Sequence, residues 1–319
     1  MTTYILNDFL PFYSASYTRK YLTNAYEQKN ILQPKSRSYQ VSYSFMYHLQ
    51  HGQLYFEQAM NSPVELKPIL LFYGLVQLIK GCILTIDPDY PENSQVLAHG
   101  VTTRKRKKAN YRFLDDEVKT QTNGLFPHFL DKMFHVKQLS GEKYQMLTLL
   151  RHVADMHPLF VKIQGHKLSY KGQIEYGNLI FPAEVLDSYH MTPNRFEQYL
   201  ETFKYSEYAN KERIIEQNKQ ILIPLSGKPS SLFAPPWLFN QEGIIHLLNN
   251  KEETAACLLP ELAIHYLLLY NLSMISRYEA EWWGELLHTF DGMDLPFVLH
   301  YLKLAEEKVP KMISTFLNK

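Results

Sequence analysis

The chain has 319 residues, 45% hydrophobic and 20% charged, with a formal net charge of +1. That length suits one large domain or two ordinary ones, and the composition is that of a packed globular protein rather than a disordered one. Near-neutrality excludes a uniformly basic nucleic-acid coat, so any binding of a polyanion needs a local patch.

In chain order, the first half reads as helices. Residues 16–28 form a short amphipathic candidate, and residues 39–60 a longer one rich in aromatics. Pro63 and Pro68 lead into an apolar helix over 69–86, which Asp87-Pro88 ends. Pro91 opens a segment over 92–103 that carries His99 into Arg104-Lys105-Arg106-Lys107-Lys108. Asn123-Gly124 marks a turn. Past Pro127 a compact helix runs to Val136, and Gly141 precedes a helix over 142–156 that Pro158 stops.

The middle changes character. Polar-apolar alternation over 167–180, around Lys171-Gly172, predicts a hairpin. Thr192-Pro193 starts a helix to about Phe203, with an N-cap hydroxyl and proline at the first helical position. Residues 221–225 read as a strand and 226–236 as a serine- and proline-rich loop. Pro260-Glu261 then opens an apolar helix over 262–278, residues 281–289 continue it after a bend, and 295–317 form a C-terminal helix interrupted or kinked near Pro310. The two apolar helices, at 69–86 and 262–278, each need cover on most faces and are expected to share one core. The fold class expected is mainly α (α+β): a helical bundle over 1–158, a mixed α/β segment with small β elements over 159–250, and a helical region over 251–319 packed on the first.

Lys67 and Lys80 bracket the apolar stretch too closely to span a bilayer of about 30 Å, and no signal-peptide pattern opens the chain. Cys82 and Cys257 both fall in apolar helical runs and read as buried free thiols of a reducing compartment. A soluble, cytoplasmic protein with no membrane partner is expected. The 23 tyrosines and 18 phenylalanines are expected mainly in the core.

The five adjacent cations repel one another, so a screening anion or partner is expected there. Arg104, Lys105, Arg106, Lys107, Lys108 and Arg112 form the candidate anion-binding set, and Tyr111 and Phe113 are placed to stack on a base. The plainer alternative is a solvated loop partly neutralised by Asp115, Asp116 and Glu117; another is the acidic face of a partner protein. His99 is next to Gly100, where backbone approaches a ligand without a Cβ in the way, and it suits acid-base chemistry on a phosphate ester. His48 and His51 share a helical face, but nothing completes a metal set. No HExxH, phosphate loop, nucleophile elbow or dinucleotide-binding glycine pattern is present, so neither metal nor cofactor is expected. Arg277 and Glu281 are spaced for a helical ion pair, and at least one ring of Trp282-Trp283 is expected to be buried.

The stretches LLFYGLVQLIKGCILTIDPDYP, LAHGVTTRKRKK and HYLLLYNLSMISRYEAEWWGELL resemble the YaaC family, across essentially the whole chain. Genes of that family tend to lie beside the gene for IMP dehydrogenase. The resemblance therefore implies a link to guanine nucleotide metabolism, with IMP dehydrogenase a candidate partner. A weaker resemblance, to HEPN domains, rests on Tyr73-Gly74 with Lys80 and on His99-Gly100-Val101. HEPN ribonucleases also carry an Arg, a polar residue and a His, and here five residues separate Arg151 from His157. This implies a metal-independent endoribonuclease with Arg151, His157 and His99 as catalytic residues, in a site shared across a homodimer. Histidine would move protons at the ribose hydroxyl or the leaving oxygen, and arginine would hold phosphate charge. Residues six apart on an ideal helix point about 240° from each other, so a helix end near Pro158 would have to bring the pair together.

Two functional readings follow. The first is a non-catalytic binding or regulatory protein whose basic element engages RNA, a nucleotide or an acidic partner surface. The alternative is the HEPN-type endoribonuclease. A scaffold whose cations serve only solubility is a third.

Overall fold

The computed structural model describes residues 8–103, 111–137, 140–165, 167–203, 213–225, 227, 230–252, 254–289 and 292–318. The first elements are α1 (Ala15–Gln28), α2 (Pro34–Asn61), α3 (Lys67–Leu84), β1 (Val101–Thr103), β2 (Glu117–Thr120), α4 (Leu125–Phe134) and β3 (Lys143–Gln145). Next come α5 (Met146–Arg151), α6 (His157–Gln164), β4 (Ser169–Glu175), β5 (Asn178–Pro182), α7 (Glu184–Tyr189) and α8 (Pro193–Glu201). The strands β6 (Ile215–Gln217), β7 (Gln220–Pro224), β8 (Trp237–Phe239) and β9 (Ile245–Leu248) precede the last helices, α9 (Glu261–Tyr278), α10 (Ala280–Thr289) and α11 (Asp294–Leu317). The protein is therefore mainly α, of α+β type. The chain divides into two compact units, residues 1–146 with 265–319 and residues 147–264. Residues 147–158 and 251–264, grouped with the helical regions on sequence grounds, fall in the second unit.

In unit 1, α3 is the central element. Among the described residues it alone has the length and apolarity of a membrane span, and 67% of it is buried inside the fold. Burial is achieved by close approach to α2. A Cβ on Gly52 would lie 2.5 Å from Leu78 Cδ2, one on Gly74 would lie 2.8 Å from the Phe56 ring, and one on Gly81 would lie 3.0 Å from Leu49 Cδ2. Since residues 49, 52 and 56 thus meet 81, 78 and 74 in reverse order, the two helices run antiparallel. On another side, Phe72 packs edge-on against Tyr266 and Tyr270 of α9, at 5.3 and 5.5 Å between ring centroids. The two apolar helices share a core, as their composition demands. The fully buried Tyr301 brings α11 to His265, with the rings stacked at 5.6 Å. Pro310 lies inside α11 without ending it.

Two sequence expectations in this region need correction. A three-stranded antiparallel sheet, β1-β2-β3, occurs where only helices were expected. Val101 pairs with Thr120, and Val118 with Tyr144; strands of three or four residues are too short for alternation to show. Second, the helix expected over 142–156 is instead β3, then α5, then a 3-10 turn at Ala154–Met156. Pro158 does not stop a helix but opens α6, where its missing N–H is no loss.

Unit 2 is built on an antiparallel sheet of order β6-β7-β5-β4-β9-β8. The predicted hairpin is present as β4–β5, with its turn at Tyr176-Gly177, both at positive φ, rather than at Lys171-Gly172. Gly172 lies inside β4 instead; a Cβ there would lie 2.6 Å from the Phe181 ring, which fills that space. Phe181 stacks on Trp237 at 5.4 Å, over a core that includes Leu179, Ile223 and Leu247. Thr192 caps α8 by accepting from Arg195 N–H at 3.5 Å, as expected. Cys82 is buried in α3, but Cys257 is only partly buried and lies in a 3-10 turn at Ala255–Leu258, not in an apolar helix.

The α2–α3 contact yields a direct test. Gly52→Val should destabilise the protein by about 1–3 kcal/mol, because the added atoms overlap Leu78 and outweigh the gain in helix propensity. Chemical denaturation of the two proteins measures it.

Candidate anion-binding site

Beyond Lys67 at its start, the polar side chains of the apolar helix α3 are Tyr73, Gln77 and Lys80, spaced i, i+4, i+7 and therefore on one face. Helix α2 flanks this face on one side. Tyr55 lies 6.2 Å from Tyr73, and His48 Nδ1 lies 2.7 Å from Gln77 Oε1. Helix α9 flanks the other: the Arg277 guanidinium donates to Tyr73 Oη at 3.2 Å and lies 5.2 Å from the Tyr278 ring.

Into this corner the chain delivers His99. Its position is fixed from behind, where its carbonyl oxygen accepts from Tyr266 Oη at 2.9 Å and from Phe126 N–H at 3.1 Å. Gly100 and Gly124, at φ +76° and +127°, cross so closely that a Cβ on Gly124 would lie 2.3 Å from the Gly100 backbone. Gly100 thus makes room for another strand of backbone, not for a ligand. The His99 ring meets Phe72, Tyr270 and Tyr73 edge-on at 5.0, 5.7 and 6.3 Å. Its ring nitrogens form no hydrogen bond among the described residues.

The electrostatics are one-sided. Burial, then the Arg277 and Lys80 charges, hold His99 below its ordinary value. Burial likewise lowers Lys80, and no acid offsets that shift. His48 is lowered mainly by burial and also by Lys80. Arg277 does not form the ion pair with Glu281 that its spacing suggested; its Nε donates to the Ser273 carbonyl oxygen at 3.0 Å and its Nη1 to Tyr73. Two cations and a neutral imidazole therefore converge among tyrosines, and neither cation has a carboxylate within 4.0 Å among the described residues. Such a site lowers its energy by taking up an anion.

The other sequence candidates are distributed as follows. Arg104, Lys105, Arg106, Lys107 and Lys108 lie outside the described residues. The chain flanking them is anchored to unit 1: Asn271 donates to Thr103 Oγ1 at 3.4 Å and to Asp116 Oδ2 at 2.8 Å, and Tyr111 Oη donates to that same carboxylate at 2.7 Å. The Tyr111 ring meets Trp282 edge-on at 4.6 Å, while Arg112 is exposed beside Asp115 at 3.5 Å. Phe113 is fully buried and presents no face to a base. Glu117 pairs with Lys143 at 3.1 Å. Trp283 is the buried member of the tryptophan pair.

Arg151 and His157 belong to unit 2, and His99 to unit 1. The Arg151 guanidinium pairs with Glu252 at 2.9 Å and reaches Gln164 at 3.5 Å. His157 donates from Nε2 to the carbonyl oxygen of Arg151 at 2.8 Å, while its Nδ1 meets Ser169 Oγ at 2.7 Å; that hydroxyl also meets His246 Nδ1 at 3.0 Å. The His157 ring is thus drawn to the backbone of Arg151, not to its guanidinium. His48 and His51 remain without a metal set, and the described residues hold no group of three metal-ligating side chains. Sequence reasoning missed Arg277, Tyr55 and Tyr270. The exposed-face spacing on α3 was legible, but nothing in a single sequence says which helix covers it.

These features define a mainly helical α+β protein with a cationic, tyrosine-walled site on its larger unit. The chain belongs to the YaaC-like protein family, a model of which matches residues 10–317. Comparison with curated proteins and with solved structures finds no match.

Because the folded value of His99 lies below the usual 6.5, its neutral form is favoured by folding. The associated stability is complete above 6.5 and is lost as pH falls through the folded value. In an NMR titration His99 should titrate below 6.5, and Arg277→Met should move it part of the way back, burial being the larger cause.

Proposed function

We propose that unit 1 binds nucleotide phosphate, either in a free nucleotide or in single-stranded RNA, through Lys80, Arg277 and His99. The run Arg104–Lys108 supplies further phosphate contacts. The observation that carries this reading is the convergence of Lys80 and Arg277 on His99 without an acid to neutralise them. Tyrosine faces beside the cations favour a ligand with a base over a bare inorganic anion, since stacking adds to charge pairing. The gene neighbourhood of the family supports a purine nucleotide and a regulatory role next to IMP dehydrogenase. It also leaves an acidic face of that enzyme as a competitor for the same cations.

A second reading is a HEPN-type, metal-independent endoribonuclease acting as a homodimer. It is favoured by the His99 ring, which is neutral and feels the charges of Arg277 and Lys80, as proton transfer beside a phosphate requires. Arg151 and His157 carry less of that reading, because their side chains are engaged in holding unit 2 together.

Fluorescence anisotropy at low salt, with labelled guanosine and adenosine nucleotides and a short single-stranded RNA, tests the proposal. Lys80→Met and Arg277→Met should each weaken binding about tenfold or more, and added salt should weaken it steeply. Replacing Arg104, Arg106 and Lys107 with Ala should flatten the salt dependence while leaving thermal stability nearly unchanged. Affinity that is unaltered in the Lys80 and Arg277 variants refutes the site. Shortening of the RNA that is lost in His99→Gln selects the nuclease.

A further inference from the structure

Helix α2 turns a row of rings to solvent, on the side away from the apolar core. Tyr39, Tyr43 and Tyr47 are 63%, 49% and 56% exposed, so packing does not account for them. The Tyr43 and Tyr47 rings lie 6.2 Å apart, tilted by 31°. At the same spacing of four residues come His51, which is exposed, and Tyr55, which meets Tyr73 of the anion-binding site. Each such step rises about 6 Å and gains about 40° beyond a full turn, so the row winds about 160° round α2. It starts on the side that faces α1 and ends on the side that faces α3.

The two ends of the row are built alike. At the first, the Arg19 guanidinium of α1 lies 4.3 Å from the Tyr39 ring centroid and 5.6 Å from that of Tyr43, and its Nε donates to Ser42 Oγ at 3.4 Å. At the second, the Arg277 guanidinium lies 5.8 Å from the Tyr73 ring and 5.2 Å from that of Tyr278. Neither guanidinium has a carboxylate within 4.0 Å among the described residues. Helix α2 itself carries no acid from Pro34 to Phe56, Glu57 being its first. From Ser42, beside Arg19, to Tyr55, beside Tyr73, α2 rises about 20 Å. A mononucleotide is too short to touch both arginines, whereas a strand stacked at about 3.4 Å per nucleotide covers that rise in about six.

We propose that single-stranded RNA lies along this row, its bases stacked on the tyrosines and its phosphates held by Arg19 at one end and by Lys80 and Arg277 at the other. The inference rests on the phosphate site assigned above to Lys80 and Arg277, and goes beyond it by choosing a strand over a free nucleotide. A second copy of the chain would cover the same rings. It is disfavoured because two arginines without acids call for negative charge, and the same face of another α2 has none to offer before Glu57. Every base has a face to stack, so the row selects the length of strand and not its sequence.

The test compares labelled hexa-adenylate RNA with labelled adenosine monophosphate on the full-length protein. The hexamer should bind at least about tenfold more tightly. Tyr47→Ala removes an exposed ring and no charge, so general electrostatic attraction cannot explain its effect; it should weaken the hexamer about tenfold. Arg19→Met, checked by its melting temperature, should do the same, and if it does not fold Tyr47→Ala decides alone. Hexamer affinity that survives Tyr47→Ala but falls in Lys80→Met refutes the row and leaves the phosphate site standing. Absence of binding by either ligand, or indifference of both to Lys80→Met, removes the phosphate site and this inference with it. A dimer that Tyr47→Ala dissociates in light scattering, with RNA affinity unchanged, gives the row to a second copy and overturns the proposal.

Discussion

The near-contact of α2 with α3, permitted by Gly52, Gly74 and Gly81, is the constraint on which unit 1 depends. Larger residues there would hold the helices apart and leave one of the most apolar segments of the chain uncovered. With the axes close and α9 against a second side, most of the surface of α3 is enclosed, and past its first turn the row Tyr73, Gln77, Lys80 is left at the margin. Partial enclosure gives that row its chemistry. It lowers Lys80, His99 and His48 together, and it leaves positive charge in a setting where water screens it poorly.

Unit 2 places its polar groups differently. The chain Arg151 carbonyl, His157, Ser169, His246 ties α6 to the adjacent strands β4 and β9. Two tautomers follow from it: His157 donates from Nε2 and so accepts at Nδ1 from the Ser169 hydroxyl, which leaves His246 to donate from Nδ1. The hydrogen bonds of this network commit its titratable groups to the fold.

Much of the fold was legible in the sequence. Long apolar runs with proline and capping signals gave α1, α2, α3, α9 and α11 to within a few residues, and the alternation after Lys167 gave the β4–β5 hairpin. What escaped was short or depended on distant neighbours. The strands β1, β2 and β3 are held by pairing across long sequence separations, and their own residues carry little pattern. The turn of the hairpin went to Tyr176-Gly177 because Gly172 was needed to make room for Phe181. Of the candidate site, His99 and Lys80 were visible as residues set beside apolar or cationic runs. Arg277 was assigned to Glu281, since local spacing is all that one sequence displays, whereas Tyr73 lies two hundred positions away and competes successfully for the guanidinium.

The crossing of Gly100 and Gly124 has a consequence for the history open to this protein. Any coding change at either position adds at least a methyl group; the Gly100 backbone stands where that methyl would go on Gly124, and the Pro127 ring where it would go on Gly100. Neither residue can relieve the other, as both are already the smallest there is. The spot is closed to drift, and the loop that presents His99 can evolve only through the residues on either side of it.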